Sequence, residues 1–250
     1  MDLGLTGIQH EIYSRQIMMQ EIGVEGQQKL AKTSVLVVGC GGLGSPVLYY
    51  LTAMGIGHIA LCDGDTVSPP NLNRQILFTM EDIGKPKAEI AKERLTALKP
   101  DLKATVYAQF MDKKLADEII PMYDIVVDCL DNFEARFILN DACIKAKKPL
   151  IHAGIGEFYG QLMTIIPGKT PCLRCLFPNG IKEKQEKSSP ALFGVVGTTP
   201  GMLGTMQAIE VMKYVLGMQS YTEGMLVVDT LNQTIEKVEI KPNRKCICKV

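Results

Sequence analysis

Ser34-Val-Leu-Val-Val-Gly-Cys-Gly-Gly-Leu-Gly44 decides how the rest of this 250-residue chain is read. The apolar run from Ser34 to Val38 predicts a buried strand, and Gly39, Gly41, Gly42 and Gly44 follow it directly. Residues 43–54 then carry a helical pattern that ends at Gly55 and Gly57. A strand, a glycine turn and a helix in that order make a phosphate-cradling unit. Glycine lets the backbone approach an anion, and the free N–H groups of a helix start favour negative charge. Residues 58–62 read as a second strand ending at Asp63, where a carboxylate is placed to accept hydrogen bonds from ribose hydroxyls.

The alternation continues outward. Residues 87–98 form a charged amphipathic helix stopped by Pro100, strands are expected at 104–108, 124–128 and 149–153, and a helix at 133–146. Near-continuous apolar strands separated by helices predict an α/β, Rossmann-like, mostly parallel sheet with helices on both faces. After residue 154 the pattern changes. Strands at 161–166, 225–228 and 235–240 and a helix at 202–216 extend that sheet in antiparallel fashion. Residues 8–32, with Ile8, Ile12, Ile17 and Ile22 at helical spacing, predict short helices. A charged stretch at 181–190 reads as a mobile surface loop. One domain is expected over residues 1–250, with N-terminal helices to 32, a nucleotide-binding half over 33–153 and a second half from 154.

Twenty-seven basic against twenty-seven acidic residues give no electrostatic case for nucleic acid. No apolar run reaches the length of about 18 residues that a membrane span needs. The start of the chain lacks a basic region followed by an apolar one, so no signal peptide is read and the cytoplasm is expected. In that reducing setting, clustered members of the eight cysteines suggest metal rather than disulfides.

Three further segments carry chemistry. Asp63-x-Asp65 and Asn71-Leu-Asn-Arg74-Gln75 lie just beyond the second strand, Gly84-Lys-Pro-Lys87 opens a helix with two cations, and Leu130-Asp131-Asn132 follows the fourth strand. An open α/β sheet builds its site at such strand ends. Arginine forks phosphate oxygens, lysine supplies a point charge and aspartate takes Mg²⁺, so the set suits a polyphosphate. Taken singly, Arg74 and Lys87 are surface cations and Asp131-Asn132 a helix cap. An NAD-dependent oxidoreductase would share the glycine turn and Asp63 but leaves Asn71, Arg74, Lys87 and Asp131 without a joint role.

The sequence resembles the ThiF/MoeB/HesA family, bacterial relatives of ubiquitin-activating enzymes. The matching stretches are Tyr13-Ser-Arg-Gln-Ile17, Val38-Gly-Cys-Gly-Gly-Leu-Gly44, Asp63-Gly-Asp-Thr-Val67, Asn71-Leu-Asn-Arg-Gln75 and Gly84-Lys-Pro-Lys87. They continue with Asp128-Cys-Leu-Asp-Asn132, Pro171-Cys-Leu-Arg-Cys175 and the segment from Gly201 to Gly217. The resemblance implies ATP-dependent adenylation of the C-terminal Gly-Gly carboxylate of a small ubiquitin-fold sulfur carrier, serving molybdopterin, thiamine or related sulfur transfer. It implies that the glycine turn and Asp63 hold the adenosine, that Asn71, Arg74 and Lys87 bind phosphates, and that Asp131 coordinates Mg²⁺. Asp65, Gln75 and Asn132 fall in the same nucleotide-binding set. Arg15 is implied to reach the triphosphate of a neighbouring subunit, and so a homodimer. A nucleotide-binding member without catalysis is the alternative.

Cys172-x-x-Cys175 and Cys246-x-Cys248 are two close pairs far apart in sequence. Four thiolates can complete a tetrahedral structural Zn²⁺ site that pins the C-terminus to the body, the alternative being four reduced thiols. The family resemblance implies such a site, although the second pair here has one intervening residue where the family usually has two. Cys40, Cys62, Cys129 and Cys143 read as small core residues. Some family members carry a reactive cysteine in the loop corresponding to 187–197, and this loop has none, so the chain is expected to stop at adenylation. His152 is expected to be structural, and His10 and His58 to be surface or turn residues.

Overall fold

The computed structural model describes residues 5–178, 194–219, 224–243 and 245–248. The loop expected at 181–190, and most of the cysteine-free stretch at 187–197, lie outside the described residues.

Eight strands form one sheet: β1 (Ser34–Val38), β2 (His58–Cys62), β3 (Lys103–Tyr107), β4 (Ile125–Asp128), β5 (Leu150–Gly156), β6 (Tyr159–Ile165), β7 (Gly224–Asp229) and β8 (Thr234–Glu239). Their spatial order is β3-β2-β1-β4-β5-β6-β7-β8. The first five are parallel and the last three join antiparallel, as the change of pattern after residue 154 predicts. The strand order reverses at β1, whose neighbours are β2 and β4. That reversal opens a crevice at the carboxyl ends of those strands.

The α-helices among the described residues are α1 (Gly7–Ile12), α2 (Ser14–Ile17), α3 (Gly23–Lys32), α4 (Gly44–Ala53), α5 (Lys87–Leu98), α6 (Lys113–Ile119), α7 (Phe133–Ala146), α8 (Leu173–Leu176) and α9 (Thr198–Leu216). Alternate residues of the central strands feed two cores. Val35, Val37, Ile59 and Leu61 pack beneath α4, α5 and α9. Leu36, Val38, Ala60 and Cys62 pack beneath α6 and α7 together with Cys172 and Cys248. A period of two with apolar residues on both faces is what a strand covered on both sides requires. Helix α6 occupies a stretch to which the sequence pattern assigns no element. Asp112 caps it by accepting from the N–H of Leu115, and Leu115, Ala116 and Ile119 bury its inner face. His58 is also no turn residue. It begins β2, its Nε2 lies 2.9 Å from the Thr105 hydroxyl, and its ring tilts against Tyr123.

The N-terminal segment is fastened by side chains. Gln27, fully buried on α3, donates to the Met54 carbonyl at 2.9 Å and accepts from Gln16 at 3.0 Å. Gln9 donates to Asp101 at 2.8 Å, and Tyr13 is buried against Gly55. No helix among the described residues is long and apolar enough to cross a membrane.

Candidate active site

The crevice at the strand reversal is an open cleft lined by residues from five strand exits. Gly39, Gly41 and Gly42 line it after β1, and Asp63, Gly64 and Asp65 after β2. Gln109, Phe110 and Met111 line it after β3, Leu130, Asp131 and Asn132 after β4, and Ile155 from the end of β5. Arg74, Gln75, Lys87 and Val195 complete the wall.

The turn after β1 can be built only from glycine at two points. Gly39 has φ +98°, and a Cβ there would lie 2.5 Å from the Cys129 carbonyl oxygen. A Cβ on Gly44 would overlap the carbonyl oxygen of Gly39. This tight closure brings α4 to the rim with no side chain capping its N-terminus; Ser45 and Val47 donate to the carbonyls of Gly41 and Leu43 and Pro46 has no N–H, so the N–H groups left to face an anion are those of the turn that leads into the helix. Gly44 therefore shapes the turn and does not itself line the cleft.

Asp63 ties the turn to β2. Its carboxylate accepts from the N–H of Cys40 at 2.7 Å and from the N–H of Asp65 at 2.8 Å. Burial raises its carboxyl above the usual range, and these two N–H groups and the nearby Lys87 offset only part of that rise. The side chain is thus held in place by the backbone on both sides of the crevice. Lys87 is buried at the start of α5, and its Nζ lies 3.0 Å from an Asp65 oxygen. Arg74 reaches the cleft with its guanidinium steadied by the Pro70 carbonyl at 2.7 Å and the Asn73 side chain at 2.9 Å. Asn132 caps α7 by accepting from the N–H of Ala135 at 2.9 Å. Asp131, one residue before it, is exposed in the cleft.

Asn71, expected at the phosphates, and Arg15, expected at the triphosphate of a neighbouring subunit, both stand outside this chain's cleft wall. Asn71 does not line the cleft. Its side-chain oxygen is spent on the N–H and hydroxyl of Ser68, at 3.0 and 3.1 Å, in a capping box around a short 3-10 turn. The Ser68-Pro-Pro-Asn71 pattern carries that capping signal in the sequence itself. Arg15 lies exposed on α2, away from this chain's own cleft wall. Conversely, Gln109, Phe110 and Met111 were not anticipated. They follow the carboxyl end of β3, and that position is the signal that would have found them.

Cys62 and Cys129 also face this cleft. Burial pushes the Cys62 thiol up to about 12 and holds Cys40 and Cys129 well above the usual thiol range. They remain protonated and are poor nucleophiles. The other four cysteines come together across the opposite core. The Sγ atoms of Cys172, Cys175, Cys246 and Cys248 lie within 4.8 Å of one another, with Cys172–Cys246 and Cys175–Cys248 each at 3.5 Å. A tetrahedral site with metal–sulfur bonds of about 2.3 Å places its sulfurs about 3.8 Å apart, so the cluster is able to hold a metal ion. The one-residue gap of the second pair does not prevent this closure. Asn140, fully buried on α7, fixes the first pair by accepting from the Leu173 N–H at 3.1 Å.

The ThiF family's sequence profile matches residues 13–250. The chain belongs to the ThiF family. It is 40% identical over 247 residues to the SAMP-activating enzyme E1 of Haloferax volcanii, covering 98% of this chain and 91% of that protein. It is also 40% identical to the sulfur carrier protein adenylyltransferase of Thermus thermophilus, over 94% of this chain and 88% of the relative. Among solved structures, that of Escherichia coli MccB with AMPCPP and MccA matches with a TM-score of 0.78 at 26% identity, covering 88% of this chain and 67% of that one. The eight-stranded sheet and its helices are thus those of a known ThiF-type fold.

Proposed function

We propose that this ThiF-family chain is an adenylyltransferase that joins AMP from ATP to the C-terminal carboxylate of a small ubiquitin-fold sulfur carrier ending in Gly-Gly. The observation that carries the reading is the convergence of the glycine turn, Asp63, Arg74, Lys87 and Asp131 on one cleft. A nicotinamide dinucleotide needs the first two and has no use for the last three.

The carboxylate substrate is already ionised near neutral pH, its unperturbed pKa being about 3.5. No general base is needed. One carboxylate oxygen attacks the α-phosphorus, the bond from that phosphorus to the bridging oxygen breaks, and pyrophosphate leaves. The obstacles are charge repulsion and placement. Asp63 takes the ribose hydroxyls, and Gln109 and Phe110 border the base. Arg74 and Lys87 offset the charge gathering on the departing pyrophosphate. Mg²⁺, held by Asp131, would neutralise phosphate oxygens. Arg15 projects from α2 to complete the site of a second copy, making the enzyme a homodimer with shared sites. Ile155 and Val195 flank the cleft on the side of the half from residue 154 onward, and the carrier tail enters there.

Zn²⁺ in the four-thiolate cluster is structural in this reading, since all four ligands are protein sulfurs and no position is left open for chemistry. The acyl-adenylate then needs sulfur from a separate donor, because the thiols at the cleft stay protonated. ATP–pyrophosphate exchange with Mg²⁺ and a panel of Gly-Gly carriers tests the function. Exchange that depends on one carrier is expected, and binding of ATP without exchange for any carrier would favour a non-catalytic member.

A further inference from the structure

Behind the cleft, and outside its lining, lies a buried charged cluster that the reaction does not touch. Asp128 at the end of β4 is fully buried, Arg136 on α7 is 4% exposed, and His152 on β5 is 1% exposed. The Asp128 Oδ2 lies 2.6 Å from His152 Nδ1 and 3.9 Å from Arg136 Nε. Burial lowers the His152 pKa, so the ring is neutral and its Nδ1–H donates to the carboxylate. Two further contacts of the cluster hold Leu130 through both its N–H and its carbonyl, which belong to the peptide units on either side of it. Asp128 Oδ1 accepts the N–H of Leu130 at 3.0 Å, and Arg136 Nη2 donates to the carbonyl of Leu130 at 2.6 Å. The Arg136 backbone N–H donates to the carbonyl of Asn132 at 3.3 Å, and the same Nη2 also reaches the Ala153 carbonyl at 3.3 Å.

Residues 130 and 132 are therefore both anchored, and Asp131 sits between them. Among the described residues, the Asp131 carboxylate makes no hydrogen bond or ion pair of its own. The anchored backbone on either side sets where its Cα–Cβ bond points. A buried ion pair is also a costly way to fill a core, because apolar residues of the same volume do it as well or better. Here Arg136 Nε is buried without a hydrogen-bond partner, so the group is not optimised for stability. Charge at this place is explained by what it grips.

We propose that Asp128 and Arg136 are positioning residues that hold the Leu130 unit by its N–H and its carbonyl and thereby aim Asp131 into the cleft for a divalent cation. This deepens the reading of Asp131 as the Mg²⁺ carboxylate and rests on it. Outer groups that orient a metal-binding carboxylate typically change metal affinity 10–100-fold when removed.

The experiment is a Mg²⁺ titration of the full-length protein with ATP and no carrier, following nucleotide binding by calorimetry, beside a thermal melt of each variant. Asp131→Ala is the reference and should raise the Mg²⁺ midpoint the most. Arg136→Met should raise it about tenfold and lower Tm, and Arg136→Lys, which keeps one donor, should fall between. The double variant Asp128→Asn/Arg136→Met leaves no unpaired buried charge. Its Tm should recover while its Mg²⁺ midpoint stays high. Asn140→Ala, which loosens the other end of α7 at Leu173, should lower Tm without moving the midpoint. A double variant whose midpoint returns with its Tm would overturn the inference, as would an Asn140→Ala midpoint that shifts with its Tm. A raised midpoint in Asp131→Ala with an unchanged one in Arg136→Met would overturn the clamp alone. An unchanged midpoint in Asp131→Ala would overturn the reading of that carboxylate, and the inference with it.

Discussion

The two ends of the sheet obey different rules. In β1 and β4 every residue but Ser34 is buried, whereas every residue of β8 is exposed. Parallel strands covered on both faces have nowhere to show chemistry except at their ends, and Gly39, Asp63, Gln109 and Asp131 all stand within a few residues of a strand's carboxyl end. The antiparallel half contributes little of the cleft wall and instead offers a surface, with Ile235 and Val238 exposed on its last strand. The parallel half is thus a site whose parts are fixed by sheet geometry, and the antiparallel half is a platform.

The sharpest way to break that contrast is to remove a charged group from the cleft. Asp131→Ala and Arg74→Ala should each reduce ATP–pyrophosphate exchange by about 10²–10³-fold, the cost of losing one preorganised charge-stabilising group. Tm should stay close to that of the parent, because both side chains stand at the cleft and neither is packed in a core. A variant with full exchange would remove its residue from the site.

Backbone geometry comes next. Gly44→Ala forces a methyl group onto the Gly39 carbonyl, where neither backbone segment can yield without opening the turn. A destabilisation of about 3 kcal/mol is expected, which for a domain of this size lowers Tm by about 6–12 °C. Nucleotide affinity should fall with it, since Gly41 and Gly42 of the turn, which line the cleft, would move. An unchanged melt and unchanged ATP affinity would show that the turn is softer than its geometry requires.

The four-cysteine cluster ties the end of the chain to the core under α7. Cys246→Ser should lose the bound metal, read as one equivalent by elemental analysis, and lower Tm by about 5 °C, equivalent to roughly 2 kcal/mol. Because none of the four cysteines lines the cleft, ATP binding should persist at temperatures below the melt. Loss of ATP binding at low temperature would mean that the two regions are not separable.

Much of this architecture was legible because it repeats one rule: apolar strand, short exit, helix. The strands at 34–38 and 58–62, and the helix at 133–146, fall where the pattern places them. The antiparallel turn of the sheet showed as a change of period after residue 154. Helix α6 escaped because seven residues carry under two turns of periodicity, although its Asp112 cap was there to be read. Asn71 was assigned to phosphates because its neighbours suit them, while its own bond to Ser68 is local and short. The clamp on Leu130 was invisible for a different reason. It joins residues 128, 136 and 152, whose partnership exists only once β4, α7 and β5 lie side by side.

The smallest expected effect tests the platform side of the contrast. Gly201 lies in the first turns of α9, and a Cβ there meets nothing within 4 Å. Glycine in a helix costs roughly 0.5–1 kcal/mol relative to alanine, because the unfolded chain loses more freedom on folding. Gly201→Ala should therefore stabilise by about 0.5 kcal/mol, raising Tm by about 1–2 °C. The turn glycine and the helix glycine then respond with opposite signs to the same added methyl group. Open space around Gly201 also has a second consequence, since α9 begins beside Gly42, which packs on Pro200. If Gly201→Ala raised Tm yet weakened carrier-dependent exchange at unchanged ATP affinity, the gap beside α9 would be a passage for the carrier tail. Unchanged exchange would leave it a helix position where glycine brings no functional gain, and would confine the chemistry to the ends of the parallel strands.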